Sequence, residues 1–115
     1  MYNYVLIAPD QLEYVPVAAV EECLPGERLF VTLDNQPIIV FNIAGQYFAI
    51  GDVCSHDGNI LDEAPLEGHE VVCPRHGARF DVRSGKALAM PAVVDIPAYP
   101  VRVNNSQIEV GWPKE

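Results

Sequence analysis

This chain consists of short stretches rich in hydrophobic residues, which are separated by turn-forming residues. Residues 28–33 alternate and are rich in β-forming side chains, and residues 37–43 and 47–50 form similar short runs. Asp34-Asn35 and Ala44-Gly45, which lie between these runs, are pairs that favour turns. No long stretch shows the period of an amphipathic helix. The pattern therefore predicts an all-β fold, a small antiparallel β-sandwich or barrel.

The remaining segments add short elements to this frame. Residues 14–17 are extended, and their proline suits an edge strand. Residues 20–24 are predicted to form a single helical turn, and residues 70–72 a short strand. Residues 101–103 and 107–110 are predicted to pair as a hairpin. We interpret the chain as one domain spanning 1–115, in which residues 1–12 are an N-terminal edge strand or a mobile arm.

Composition limits the classes of function. The 115 residues, half of them hydrophobic, can bury one modest core. The 16 acidic residues against 7 basic ones give a net charge of −9, which disfavours binding to a nucleic acid backbone. No run approaches the roughly 20 apolar residues of a membrane span, and the start of the chain does not have the pattern of a signal peptide. We therefore expect a cytoplasmic protein without membrane contact.

Two short motifs carry the candidate chemistry. Cys54-Ser55-His56 is followed after sixteen residues by Cys73-Pro74-Arg75-His76. Thiolates suit iron–sulfur clusters and zinc, whereas imidazole suits zinc, iron and copper. Zinc sites favour pairs of cysteines two to four residues apart, and neither cysteine here has such a neighbour. The residues alone leave open an iron–sulfur centre, a structural zinc site, or four side chains that never meet.

The third cysteine, Cys23, has no partner if Cys54 and Cys73 are metal ligands. A lone cysteine argues against a disulfide framework and for a reducing compartment. We expect Cys23 to be a small buried apolar residue. His69, the third histidine, has no cysteine nearby in a ligand motif, and we interpret it as a surface residue.

The two motifs and their flanks resemble the Rieske family. The resemblance covers roughly residues 13–111, and the flanks that carry it are Asp52-Val53, Gly77, Phe80-Asp81 and Ser84-Gly85. It implies one [2Fe–2S] cluster per chain, with two Cys on one iron and two His on the other. The implied metal- and cofactor-binding residues are Cys54, His56, Cys73 and His76. Residues 52–82 would form the cluster-binding part, and residues 90–92 a proline-containing loop over the cluster.

Within that family the chain resembles the ferredoxin components of bacterial ring-hydroxylating dioxygenase systems. This implies a one-electron carrier, not an enzyme with catalytic residues, between an NAD(P)H-dependent flavin reductase and a terminal oxygenase. Both partners would dock transiently at the tip that carries His56 and His76. The rival interpretations are a Rieske-type small subunit of another redox enzyme, such as nitrite reductase, and a structural zinc interaction module.

Departures from the respiratory type of Rieske protein suggest a low reduction potential. That type has a disulfide between the two ligand loops, whereas here the corresponding residues are Asn59 and Arg75. It also has two hydroxyl side chains that donate to cluster sulfurs, and these positions are Ala78 and Phe80. Because hydrogen bonds to sulfur stabilise the reduced cluster, their loss lowers the potential. Asp57, next to a ligand, acts in the same direction.

Overall fold

The computed structural model describes residues 3–54, 60–61, 64–74, 77–90 and 94–114. Within these ranges the chain forms eleven strands and three short 3-10 turns, and no α-helix. The prediction of an all-β fold is confirmed. In chain order the strands are β1 Leu12–Ala19, β2 Arg28–Leu33, β3 Gln36–Ile43, β4 Gln46–Gly51, β5 Leu66–Glu67, β6 Glu70–Val72, β7 Arg79–Asp81, β8 Ala87–Ala89, β9 Ala98–Tyr99, β10 Val101–Asn104 and β11 Gln107–Pro113.

The strands form three antiparallel sheets. The strand orders are β2-β3-β4-β9 in the central sheet, β1-β11-β10 in the outer sheet and β5-β6-β7-β8 in the small sheet. Asp34 and Asn35, both at positive φ, make the two-residue turn between β2 and β3. Such turns match the twist of paired strands. The predicted hairpin of β10 and β11 is also present.

The central strand β3 explains why the sequence contains an unbroken apolar run. Successive side chains of a strand point to opposite faces, and here both faces are covered. Ile38 and Val40 pack with the outer sheet, against Ile108 and Val110 among others. Ile39 and Phe41 pack toward the small sheet, in a core that contains Val71 and Phe80. The molecule therefore has two cores, one on each side of the central sheet.

Strand β1 lies at the edge of the outer sheet, as its proline predicts. Its pairing with β11 shifts by one residue between Pro16 and Ala18, a bulge of the kind that accommodates proline in an edge strand. The predicted helical turn after β1 is a 3-10 turn at Val20–Glu22.

The residues that precede β1 lie against β9. Asn3 pairs in parallel with Ala98, and 3-10 turns follow at Tyr4–Leu6 and Pro9–Gln11. We call residues 3–11 the N-terminal arm. β9 is the end strand of the central sheet, so the arm covers an edge that would otherwise be open. In the described part of the chain, no helix has the length and apolar character needed to cross a membrane.

Candidate metal centre

Cys54 and Cys73 lie in the same core, on the two segments that the sequence analysis predicted to meet. Cys54 comes three residues after β4, and Cys73 follows β6 directly. Both side chains are fully buried, and both belong to the core between the central and small sheets. Neither is in a disulfide bond. Two buried thiols delivered from separate loops to one core are the donor set that one iron of a Rieske cluster requires.

Backbone hydrogen bonds join the start of the second motif to the residues that follow it. The backbone N–H of Cys73 donates to the carbonyl oxygen of Ala78 at 2.7 Å, and the N–H of Gly77 donates to that of Cys73 at 2.9 Å. Gly77 has a φ of 77°, a left-handed conformation that a residue with a Cβ adopts only at a cost. The glycine after the second histidine is therefore needed to turn the chain back into β7.

The segment after the first motif is anchored by a carboxylate. Asp52 is only 8% exposed, and its Oδ1 accepts from the backbone N–H of Leu61 at 2.6 Å. Its own N–H donates to the carbonyl of Pro37 at 2.9 Å. Sequence reasoning noted Asp52 as a flank of the motif but did not find this role, because the partner is nine residues away and is a backbone group.

The predicted histidine ligands, His56 and His76, lie outside the described residues. The same holds for Asp57, Asn59 and Arg75. Among the residues that are described, no three His, Cys, Asp or Glu side chains converge as a metal site. The four-residue ligand set thus stays a prediction, of which the structure places the two cysteines.

Charged residues of the small sheet form ion pairs with one another. Arg79 bonds to Glu67 at 2.9 Å and to Glu70 at 3.3 Å. Its pKa is raised, chiefly by the hydrogen bond to Glu67. Arg83 donates through two nitrogens to both oxygens of Asp81, and these hydrogen bonds lower the pKa of Asp81. Arg79 and Arg83, the first two basic residues after the second motif, are therefore already paired.

Gly85 holds the segment that leads toward β9. Its carbonyl oxygen accepts from the N–H of Ile96 at 2.8 Å, and its φ is 76°. A Cβ at this position would lie 1.9 Å from the carbonyl oxygen of Ile96. Residues 91–93 lie between Met90 and Ile96 in the sequence and outside the described residues. They include two members of the predicted proline-containing loop. This close approach of Gly85 to Ile96 explains why the Ser84-Gly85 flank needs a glycine.

Cys23 lies in the other core, apart from the two candidate ligands. It is fully buried beside the carbonyl oxygens of Glu27 and Val40, as expected for a small apolar residue. Burial raises the pKa of its thiol. His69, interpreted as a surface residue, is half-buried and packs edge-on against Phe48 with ring centroids 5.5 Å apart.

The all-β fold with two buried thiols in one core fits a small iron–sulfur domain. The chain belongs to the Rieske [2Fe–2S] domain family, whose model matches residues 13–100. It is 42% identical over 101 residues to the 3-phenylpropionate/cinnamic acid dioxygenase ferredoxin subunit of Shigella boydii, covering 86% of this chain and 91% of that protein.

Solved structures agree with this assignment. The ferredoxin of carbazole 1,9a-dioxygenase from Nocardioides aromaticivorans superposes with a TM-score of 0.80 at 34% identity, over 88% of this chain and 98% of its own. A ferredoxin from a complex of reduced oxygenase and oxidised ferredoxin in carbazole 1,9a-dioxygenase gives 0.79 at 28%, over 89% and 95%. A candidate NADH-dependent nitrite reductase small subunit from Mycobacterium tuberculosis gives 0.76 at 24%, over 90% and 98%, which is a likeness of fold alone.

The protein is thus a Rieske-type ferredoxin with a single [2Fe–2S] cluster, an electron-transfer component and not a catalytic enzyme. The resemblance to ferredoxin components found in the sequence is confirmed.

Proposed function

We propose that this protein carries single electrons from an NAD(P)H-dependent flavin reductase to a terminal oxygenase that acts on an aromatic compound. Cys54 and Cys73 would hold one iron of the cluster, and His56 and His76 the other. The observation that carries the proposal is the burial of both thiols in one core of a Rieske domain. The similarity to ferredoxin components of dioxygenase systems supports the choice of partners.

The chain supplies the surroundings that a carrier needs. The cluster, when bound, takes up and gives back one electron. The thiols of Cys54 and Cys73 are fully buried and are therefore shielded from water. Ala78 and Phe80, also fully buried beside them, have no hydroxyl that could donate to a sulfur. The charge of the reduced state therefore receives less stabilisation, which favours a potential near the bottom of the Rieske range of about −150 to +300 mV.

We place the docking surface at the tip that would carry His56 and His76, where the electron would leave by the shortest path. A carrier must leave one partner to reach the next, and such redox encounters bury less than about 1,200 Å². Arg75 is the basic residue we assign to this surface. Arg79 is a weaker candidate because Glu67 and Glu70 already bind its guanidinium.

Metal analysis and rapid reduction kinetics test the carrier role. The purified protein should hold two irons and two acid-labile sulfides per chain, and reductase with NAD(P)H should reduce it reversibly. Cys54→Ser and His76→Ala should abolish the cluster, because metal binding and local folding are coupled. Cys23→Ser is the matched control, since this buried cysteine lies in the other core and should leave the iron content unchanged. Stoichiometric zinc and a colourless protein would refute the proposal.

A charge reversal tests the docking surface. Arg75→Glu should slow reduction by the reductase, most strongly at low ionic strength, and leave the visible spectrum unchanged. Lys114→Glu is the control, because Lys114 is an exposed residue beyond the end of β11 in the outer sheet. Arg28 is unsuitable as a remote control, since its guanidinium bonds to the carbonyl of Ala64. Equal slowing by both reversals would show that the surface is misplaced.

The second candidate function is that of a permanent small subunit of a nitrite reductase, a class in which one solved structure has this fold. Gel filtration of the native protein from its source cells distinguishes the two. A free carrier should elute as a small protein and should support oxygenase turnover when added back. Elution only with a large reductase subunit would favour the alternative. For either role we expect the cytoplasm, where reduced thiols such as Cys23 persist.

A further inference from the structure

Both ends of one short turn are held by charged side chains from elsewhere in the molecule. Ala64 donates its N–H to the carbonyl of Leu61 at 2.9 Å, closing what we call turn 61–64. At its start, Leu61 N–H donates to Asp52 Oδ1 at 2.6 Å. At its end, the carbonyl oxygen of Ala64 accepts from Arg28 Nη1 at 2.8 Å. Leu61 and Ala64 are each only 1% exposed.

The two charged residues belong to the central sheet and its immediate continuation. Arg28 opens β2, and its guanidinium carbon lies 4.9 Å from the centroid of the Phe41 ring on β3. Asp52 directly follows β4 and is fixed by its own backbone bond to Pro37. Hydrogen bonds that involve an ionised group are roughly twice as strong as neutral ones, and an arginine over an aromatic face gains a further attraction. Both hydrogen bonds to turn 61–64 therefore come from the central sheet or from the residue that directly follows it.

Turn 61–64 lies beside the candidate metal centre. Leu61 and Ala64 pack in the same core as Cys54 and Cys73. The turn also follows the first ligand motif in the sequence. The backbone groups that Arg28 and Asp52 bind are 36 and 9 residues away in sequence, respectively.

We propose that Arg28 and Asp52 are positioning residues that fix the first ligand loop through turn 61–64 and so retain the cluster. The inference rests on the proposed ligand set. In the respiratory type of Rieske protein a disulfide between the ligand loops does this work. Here Asn59 and Arg75 stand at those two positions, and the hydrogen bonds of Arg28 and Asp52 would restrain the first loop instead.

Release of iron to a chelator from the holoprotein measures this restraint directly. Arg28→Met keeps an aliphatic stem but has no donor, and Asp52→Ala removes the acceptor. Each should speed iron release at least tenfold, because each removes a hydrogen bond that involves a charged group, and tenfold corresponds to about 1.4 kcal/mol. Arg28→Lys, which keeps a charged donor, and Asp52→Asn, which keeps Oδ1, should restore most of the wild-type rate.

Arg102→Met is the matched control. Arg102 also lies over an aromatic ring, that of Tyr14 at 4.1 Å, and bonds to Glu109 at 2.6 Å. It belongs to β10 of the outer sheet, away from the core that holds the thiols. Replacing Arg102 should lower the free energy of unfolding, because it also removes a ring contact and an ion pair. It should leave the rate of iron release unchanged.

Two spectroscopic measurements separate positioning from mere stability. In Arg28→Met, the electron paramagnetic resonance signal of the reduced cluster should broaden, because the loop samples more conformations. Hydrogen exchange at the amide of Leu61 should accelerate about tenfold in Asp52→Ala, while amides of β3 keep their protection.

The results distinguish a failure of the proposed function from a failure of this inference. A wild-type protein without iron overturns the proposed function. A wild-type protein that holds its cluster, with Arg28→Met and Asp52→Ala both releasing iron at the wild-type rate, overturns this inference alone. Equal acceleration by Arg28→Met and Arg102→Met would also overturn it, since the effect would then be one of global stability.

Discussion

Tyr4 of the N-terminal arm stacks on Tyr99 of β9, with ring centroids 5.0 Å apart and planes 15° from parallel. Trp112 also stacks on Tyr99, with ring centroids 5.1 Å apart. The three rings join the arm, the central sheet and the outer sheet. Burial raises the pKa of the Tyr99 hydroxyl well above its usual range. The arm is therefore attached to both the central and the outer sheet.

We expect Tyr4→Ala to lower the free energy of unfolding by about 2 kcal/mol. The loss combines a stacked pair, about 0.5–1.5 kcal/mol beyond its area, with the area itself. Chemical denaturation followed by far-ultraviolet circular dichroism measures the change. Tyr4→Phe keeps the ring and should retain nearly all of the stability. If Tyr4→Ala unfolds at the wild-type denaturant concentration, the arm contributes nothing to the fold.

Gly85→Ala should destabilise the protein far more than Gly45→Ala. Both glycines have positive φ, 76° and 91°, so both substitutions carry the same kind of backbone strain, about 1 kcal/mol. Only at Gly85 would the new Cβ meet a backbone atom, the carbonyl oxygen of Ile96 at 1.9 Å, whereas at Gly45 nothing lies within 4 Å. Thermal melts of the two variants give the comparison, and equal melting temperatures would contradict the close approach.

Adding hydroxyls beside the thiols should raise the reduction potential. Ala78→Ser and Phe80→Tyr would each place a donor near the cluster sulfurs, and each should raise the potential by tens of millivolts. For one electron, about 59 mV corresponds to roughly 1.4 kcal/mol. Protein-film voltammetry measures the shift. Phe48→Tyr, which adds the same hydroxyl at the margin of this core, should leave the potential unchanged. No response in either of the first two variants would remove this explanation of a low potential.

The ion pair of Arg83 and Asp81 should stabilise the fold at neutral pH and not in acid. Its hydrogen bonds lower the pKa of Asp81 below the ordinary value of 3.8. A depressed folded pKa means that the stabilisation is complete above the unfolded pKa and is lost as the pH falls through the folded one. Arg83→Gln should therefore be less stable than the wild type at pH 7 and 5, by the same amount.

At about pH 2.5 the difference between Arg83→Gln and the wild type should shrink. Denaturant melts at the three pH values measure it, on apoprotein if acid removes the cluster. Lys86→Gln is the control, a nearby basic residue for which the structure gives no ion pair. A difference that persists unchanged in acid would show that Arg83 stabilises the fold by packing and not by charge.

The sequence predicted the longer strands, such as β2, β3 and β4, because those depend on local patterns. The set of four metal ligands stays a prediction, of which the structure describes the two cysteines. The sequence predicted β3 as a strand from its apolar residues, but not that this strand lies between two cores. Which face Ile38 or Ile39 covers depends on β11 and β7, which are distant in sequence. The contact of Arg28 with Ala64 was missed for the same reason, since the acceptor is a backbone carbonyl that no residue type reveals. The sequence does not distinguish a strand from a mobile arm over residues 1–12, because 3-10 turns have no strong periodicity.

Complete burial of Cys54 and Cys73 has a consequence for how the protein matures. An assembly factor that delivers iron and sulfide cannot reach thiols that are closed within a finished core. Delivery must therefore precede the docking of the small sheet, or follow its transient opening. Before delivery, the small sheet would not be packed on the central sheet, and its segment would be open to proteases. Supply of clusters, and not only synthesis of polypeptide, would then set how much of this ferredoxin survives proteolysis in the cell.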